Sequence, residues 1–272
     1  MPIFYDTHAH LDDADFASDL PQVIERAGAA GIATLISVGT DHETSAAAVR
    51  IAGQYDNIFA VVGWHPNDAH KAPEDVRLEL RDLALNPKVV AIGEMGLDYY
   101  RLPKVTSDAI GAEVEQIKQI QARVFRQQLE LAAELGLNCV VHQRGDCFND
   151  ILELMRPFAD KIRAVFHCFS EGPDALARVL EMGFFVSFTG IITFRTADIM
   201  RASLAAVPMN RFMLETDCPY LAPEPHRGKR CEPAYLAETA RMAAKVKNCS
   251  IEDLSATTCA TAQEFFKKLN AS

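Results

Sequence analysis

Residues 3–10 read IFYDTHAH, an apolar, β-prone run that ends in two histidines one residue apart, with Asp6 beside them. In a strand successive side chains alternate faces, so His8 and His10 point the same way. The pattern recurs along the chain. Mostly apolar runs occupy 33–38 (ATLISV), 58–63 (IFAVVG), 89–94 (VVAIGE), 138–142 (NCVVH), 163–167 (RAVFH), 184–188 (FFVSF) and 212–217 (FMLETD), and four of these finish in Glu, His or Asp. Amphipathic stretches at about 19–30, 43–55, 118–136, 173–182 and 233–247 lie between them. Near-continuous apolar strands separated by helices are parallel strands covered on both faces. Eight of them at mostly similar spacing predict an α/β fold, a closed (β/α)8 TIM barrel occupying residues 1–272 as one domain. The interval between the fourth and fifth runs is longer than the rest. Its charged, Gln-rich material around 101–120 predicts a backward extension of the following helix, or an added loop over the strand ends.

Composition agrees with a globular enzyme-sized chain. Of 272 residues, 49% are hydrophobic and 24% charged, with 14 Gly and 13 Pro. A formal net charge of −10 argues against a surface that is a nucleic-acid clamp throughout, and leaves room for a local basic patch or a metal-lined cleft. Seven Cys without a CxxC pair do not suggest a disulfide framework, so a reducing, cytoplasmic setting is expected. Asp6 interrupts the opening run and the first Lys or Arg is Arg26, so no targeting leader is expected; no stretch has the roughly 20 apolar residues of a membrane span. A monomer is the default expectation.

The chemistry gathers where the runs end. His8 and His10 close the first, Glu94 the fourth, His142 the fifth, His167 the sixth and Asp217 the eighth. In such a barrel the C-terminal strand ends converge on one mouth. Taken singly, a histidine ending a strand needs only a hydrogen-bond acceptor. Six titratable groups converging on one mouth need a compensating charge when they are desolvated together. Four imidazoles and two carboxylates match two divalent ions: His8, His10 and Asp217 around one, His142 and His167 around the other, with Glu94 bridging. Nitrogen and oxygen donors suit Zn²⁺, Mn²⁺, Fe²⁺ or Ni²⁺, while Mg²⁺ prefers more oxygen.

The blocks THAHLDD, GWHP, GEMGLDYYR, HQR, FHCFS and ETDCPYLAP, in this order, resemble the TatD family of metal-dependent deoxyribonucleases, a branch of the amidohydrolase-like metallo-dependent hydrolase barrels. The likeness covers nearly the whole chain. It implies that His8, His10, Glu94, His142, His167 and Asp217 are metal ligands, all present, and that the substrate is DNA, single-stranded or at ends, cleaved with two divalent cations such as Mg²⁺, Mn²⁺ or Zn²⁺, often exonucleolytically. Two departures bear on substrate contacts: RGKRCEP carries Cys231 where the family commonly has Asn, and the 101–120 insertion is long.

For such a reaction, a water activated by the ions is the expected nucleophile, and Asp217 the expected acceptor of its proton. Glu215, on the same strand face, would orient ligands, contact substrate or form a salt bridge. His65, after the third strand, would donate to a phosphate oxygen or leaving group. Cys168 and Cys218 read as small buried fillers. The stretch PEPHRGKRCEP (223–233) is the one dense basic loop, so His226, Arg227, Lys229 and above all Arg230 are expected to gather the nucleic-acid backbone, and Tyr99 or Tyr100 to stack on a base or pack the loop. A P-loop, a GxGxxG cradle and a GxSxG elbow are all missing. Two other readings remain: hydrolysis of an ester or amide, such as an aminoacyl-tRNA ester, and an inactive binding or scaffold barrel.

Overall fold

The computed structural model describes residues 2–270. Eight parallel strands form one sheet in sequential order: β1 (Phe4–Ala9), β2 (Ile32–Val38), β3 (Ile58–Val62), β4 (Val89–Asp98), β5 (Asn138–Arg144), β6 (Ala164–Phe166), β7 (Phe185–Phe188) and β8 (Phe212–Leu214). The helices are α1 (Leu20–Ala29), α2 (His42–Ala52), α3 (Arg77–Ala84), α4 (Asp108–Leu135), α5 (Phe148–Met155), α6 (Pro173–Glu181), α7 (Asp198–Ala206), α8 (Leu236–Lys247) and α9 (Ile251–Phe265). The architecture is the expected (β/α)8 barrel. The insertion is mostly helix: α4 runs back to Asp108, where the Ser107 hydroxyl caps it by accepting from the Ile110 N–H, and it ends at Gly136 in the left-handed conformation.

Strand alternation sorts the side chains into two cores. Ile36, Phe59, Val61, Val90, Val140, Val165, Phe185 and Met213 form a cluster inside the barrel, floored by Phe265 and Phe266 at the end of α9. Their in-between neighbours, including Leu35, Ala60, Val141, Phe166 and Leu214, pack outward with helix residues such as Val23, Leu80 and Phe125. The inward series continues beyond the apolar layer. Two residues after Val140 comes His142, after Val165 comes His167, and after Met213 comes Glu215. The barrel interior therefore passes from hydrocarbon to titratable groups as the strands approach the mouth.

The seam between β8 and β1 is closed by the segment that follows β8. The Asp217 N–H donates to the His8 carbonyl (2.9 Å) and the His10 N–H to the Cys218 carbonyl (2.8 Å). The Thr7 hydroxyl donates to the Leu214 carbonyl (3.1 Å). Buried Asp6 accepts from the backbone N–H (2.9 Å) and the hydroxyl of Thr216, so it is a seam residue. β8 is thus shorter than the expected 212–217, and Asp217 lies in the closing segment, with φ of 58°.

β4 is longer than expected and irregular, with its register to β5 shifting between Ile92 and Met95. Gly93 (φ 155°) and Gly96 (φ 145°) permit this. A Cβ at Gly96 would run into the His142 carbonyl oxygen, so glycine there lets β5 lie against the strand that carries Glu94. Gly96→Ala is expected to lower stability by roughly 2 kcal/mol or more, read from urea unfolding, with metal uptake reduced alongside. Gly28→Ala, in α1 with open space around the added methyl, should be neutral or stabilising.

Candidate metal centre

Glu94 is the hub of the mouth. Only 2% exposed, it directs its two oxygens into two nests of imidazole nitrogen. Oε1 lies 2.8 Å from His142 Nδ1, 2.7 Å from His167 Nε2 and 3.4 Å from His65 Nε2. Oε2 lies 3.2 Å from His8 Nε2 and 3.8 Å from His10 Nε2. Asp217 Oδ1 completes the second nest, 3.3 Å from His10 Nε2 and 3.8 Å from His8 Nε2. The six ligand residues expected from sequence are therefore brought together, with His65 beside them.

The surrounding hydrogen bonds set the direction of each ring. His10 Nδ1 donates to the Val38 carbonyl (2.9 Å), which turns Nε2 toward Asp217. His167 stacks on His8 with ring centroids 4.0 Å apart, and its Nδ1 lies 3.6 Å from Glu215 Oε1. The same Glu215 oxygen accepts from the Cys168 N–H at 2.6 Å, so Glu215 orients a ligand and the turn behind it. His142 Nε2 faces Asp98 Oδ2 at 3.4 Å. Asp98, buried and four residues beyond Glu94 on β4, is absent from the sequence reading. Its signal was present: alternation along GEMGLD puts residues 94 and 98 on one face.

Burial works against every charge here, and the outcome depends on what each group faces. Burial pulls His10 down, but the hydrogen bond and charge of Asp217 hold it up at about 9. His142 and His167 are likewise raised against burial, by Asp98 and Glu94 for the former and by Glu94 and Glu215 for the latter. Burial and the charge of His167 lower His8; burial and the charge of His142 lower His65. Burial would raise the carboxyls, yet the surrounding histidines keep Glu94 well below its ordinary value and Asp217 below its own.

The residues fit a divalent metal. Three groups, His8–His10–Asp217, His8–Glu94–His167 and His65–Glu94–His142, hold their ligand atoms within 4.8 Å of one another. Both ring nitrogens of His8 are buried without a well-formed hydrogen bond, Nε2 facing only the carboxylates of Glu94 and Asp217. Cys168 lines the mouth beside Thr189 and so is not a filler, but burial pushes its thiol up to about 12, away from thiolate ligation. Cys218 is fully buried, as expected.

The site opens into a cleft of about 820 Å³. His65 lines it, as expected; the 226–230 loop and Tyr99 do not. Arg230 is committed elsewhere: its Nη1 and Nη2 donate to the two oxygens of Asp19, at 2.8 Å each, and its guanidinium covers the Phe16 ring. His226 stacks flat on Tyr235 with centroids 3.9 Å apart, Arg227 lies over Phe194, and Cys231 is buried beneath the loop. The Tyr99 hydroxyl donates to Asp150 (2.8 Å), with Lys118 over the ring, which places it in a groove between α4 and α5. Sequence shows that these residues are basic or aromatic near the mouth. It does not show that Arg230 and Tyr99 are held by acids and His226 and Arg227 by aromatic rings.

A barrel whose inward strand ends build this mouth is a metal-dependent hydrolase. The chain belongs to the TatD related DNase family, whose model matches residues 5–267. It is 35% identical over 268 residues to YabD of Bacillus subtilis, described as an uncharacterized metal-dependent hydrolase, covering 97% of this chain and 99% of that one. It is 34% identical over 269 residues to a protein of Edwardsiella piscicida named 3′-5′ ssDNA/RNA exonuclease TatD, covering 96% and 98% of the two chains. The crystal structure of the TatD homologue YjjV of Escherichia coli superposes with a TM-score of 0.86 at 24% identity, covering 97% of this chain and 98% of that one.

Because His10 is held at about 9, a metal ion at its Nε2 must displace a proton at neutral pH. Metal affinity is expected to rise with pH and level off above about 9, with proton release at pH 7 measurable by calorimetry in buffers of different ionisation enthalpy. Metal uptake at pH 7 without proton release would contradict the site described.

Proposed function

We propose that the protein is a divalent-metal-dependent nuclease that hydrolyses phosphodiester bonds of single-stranded DNA from a terminus, holding two ions at once. The observation that carries this reading is Glu94, one buried carboxylate whose two oxygens each enter a separate set of nitrogen donors. His8, His10 and Asp217 would hold one ion, His142 and His167 the other, with Glu94 shared. The name of the Edwardsiella relative supports the substrate class. Two such ions when bound would lower the pKa of a water and neutralise charge developing on a phosphate.

The chain's own groups supply the rest. Asp217, kept ionised by His10 and its neighbours, is placed to accept the proton of the attacking water. His65 Nδ1 accepts from the Asn67 N–H (3.0 Å), so the neutral ring carries its proton on Nε2, which faces the cleft beside Glu94. Lowered by burial and by His142, His65 stays neutral at physiological pH and acts as a donor to a phosphate oxygen or the leaving oxygen. Asp98 and Glu215 hold the rings of His142 and His167 at their outer nitrogens.

Glu94→Ala and Asp217→Ala are expected to reduce metal-dependent cleavage of end-labelled single-stranded DNA by on the order of 10³-fold, and His65→Ala by about 10²-fold, in proteins that remain folded by circular dichroism. If the metal-loaded protein leaves DNA intact and hydrolyses an aminoacyl ester, the ester reading replaces this one.

A further inference from the structure

The expected basic anchor at 226–230 does not line the cleft, which leaves open what receives the rest of a polyanionic strand. Among the described residues that line the cleft, Arg101 and Arg144 are the only Lys or Arg. Both sit on the same rim, beyond the ends of β4 and β5. Arg144 is two residues past His142 on β5, so the two side chains share a face and the guanidinium stands outward of the ligand. Across the barrel from these arginines, the rim after β1 carries Asp12 and Asp13, while Asp68, after the neighbouring β3, is paired with Lys71 at 2.7 Å. The cleft is therefore polar in charge across its width, in a chain whose net charge is −10.

Arg144 is arranged to bind. Among the described residues it has no ion pair; its guanidinium lies over the exposed ring of Tyr100, 4.4 Å from the centroid. The loop that carries it is fixed, because the Tyr99 N–H donates to the Arg144 carbonyl (2.8 Å) and a Cβ at Gly145 would press on the backbone of Tyr99 and Tyr100. A guanidinium held flat on an aromatic face keeps its N–H edge free for an anion and loses little entropy on binding. Arg101 is 62% exposed, with its Nε no closer than 4.0 Å to Asp98 Oδ2. Its backbone N–H donates to Asp98 Oδ1 at 3.2 Å, so the buried acid that faces His142 also positions Arg101. Neither arginine was singled out in the sequence, where they look like surface charges.

We infer that Arg101 and Arg144 form the phosphate-binding rim of the cleft: the strand beyond the scissile bond runs out over the β4–β5 side, with its next phosphates on these two guanidinium groups, while the acidic β1 side disfavours its continuation. This rests on the nuclease reading above. It also gives that reading a physical reason for acting at an end, since a chain continuing in both directions would pass its phosphates over Asp12 and Asp13.

The test compares wild type, Arg144→Ala, Arg101→Ala and the double variant, with Arg230→Ala as a control outside the cleft. Fluorescence anisotropy with a labelled, phosphorothioate-linked single-stranded oligonucleotide, with Mg²⁺ present, measures affinity at several salt concentrations. The double variant should bind about 10- to 100-fold more weakly, and its slope of log K against log salt should be shallower by about 1.4, near 0.7 per lost phosphate contact on a single strand. Cleavage assays should show KM raised and kcat unchanged on oligonucleotides, with no change on a dinucleotide, which has no second phosphate. Arg230→Ala should leave affinity and slope as in wild type. Unchanged affinity and salt slope in the double variant, in a protein that cleaves DNA, would overturn the inference and leave the nuclease reading standing. Wild type that neither binds nor cleaves the oligonucleotide would remove both.

Discussion

The structure depends on keeping one ionised carboxylate, Glu94, inside a barrel. An uncompensated charge at 2% exposure would be among the most costly groups in the molecule. The fold meets that cost by converging histidines from four other strand ends on its two oxygens. The compensation is chemical as well as structural. Ring nitrogens gathered around a carboxylate in a confined, largely desolvated site suit a divalent cation, and the same carboxylates raise His10, His142 and His167 against burial.

Placement of this cluster and closure of the barrel are the same event. β8 ends at Leu214, and the seam to β1 is made by the stretch through Asp217, whose backbone N–H bonds the His8 carbonyl. The Asp6–Thr216 contacts hold the same join from below. A ligand on a free loop would lose its position to thermal motion; here the ligand sits in the hydrogen-bonded closure itself. On the far side, Gly96 lets β5 approach β4 closely enough for His142 to meet Glu94. Backbone detail at two joins thus sets the geometry of the centre.

The cleft around the centre has a charge direction that net charge conceals. Arginines on the β4–β5 rim lie across the barrel from Asp12 and Asp13 after β1. Such a gradient orients a polyanion more than it strengthens binding, because both signs are present and much of each rim is exposed. The basic loop at 226–230 contributes to the barrel instead: Arg230 and Arg26 converge on Asp19 and, through Arg26, on Glu232, tying the start of α1 to the segment after β8.

By itself the sequence determined the layered plan and which titratable residues end the strands. Apolar runs ending in His8, Glu94, His142, His167 and Asp217 are legible because strand alternation and the convergence of barrel strand ends are properties of local pattern and topology, needing no knowledge of contacts. The helices α3, α5, α7 and α9 were less legible from pattern alone. Tertiary structure alone decided which charges are free. Arg230 and Arg144 are equivalent as letters, yet one is clamped by Asp19 and the other rests unpaired on Tyr100, because a long flexible side chain takes whatever partner the fold brings within reach. Asp98 and Glu215 became ligand-orienting groups for the same reason: their role lies in the ring nitrogen each one faces, a relation between strands that are far apart in the chain.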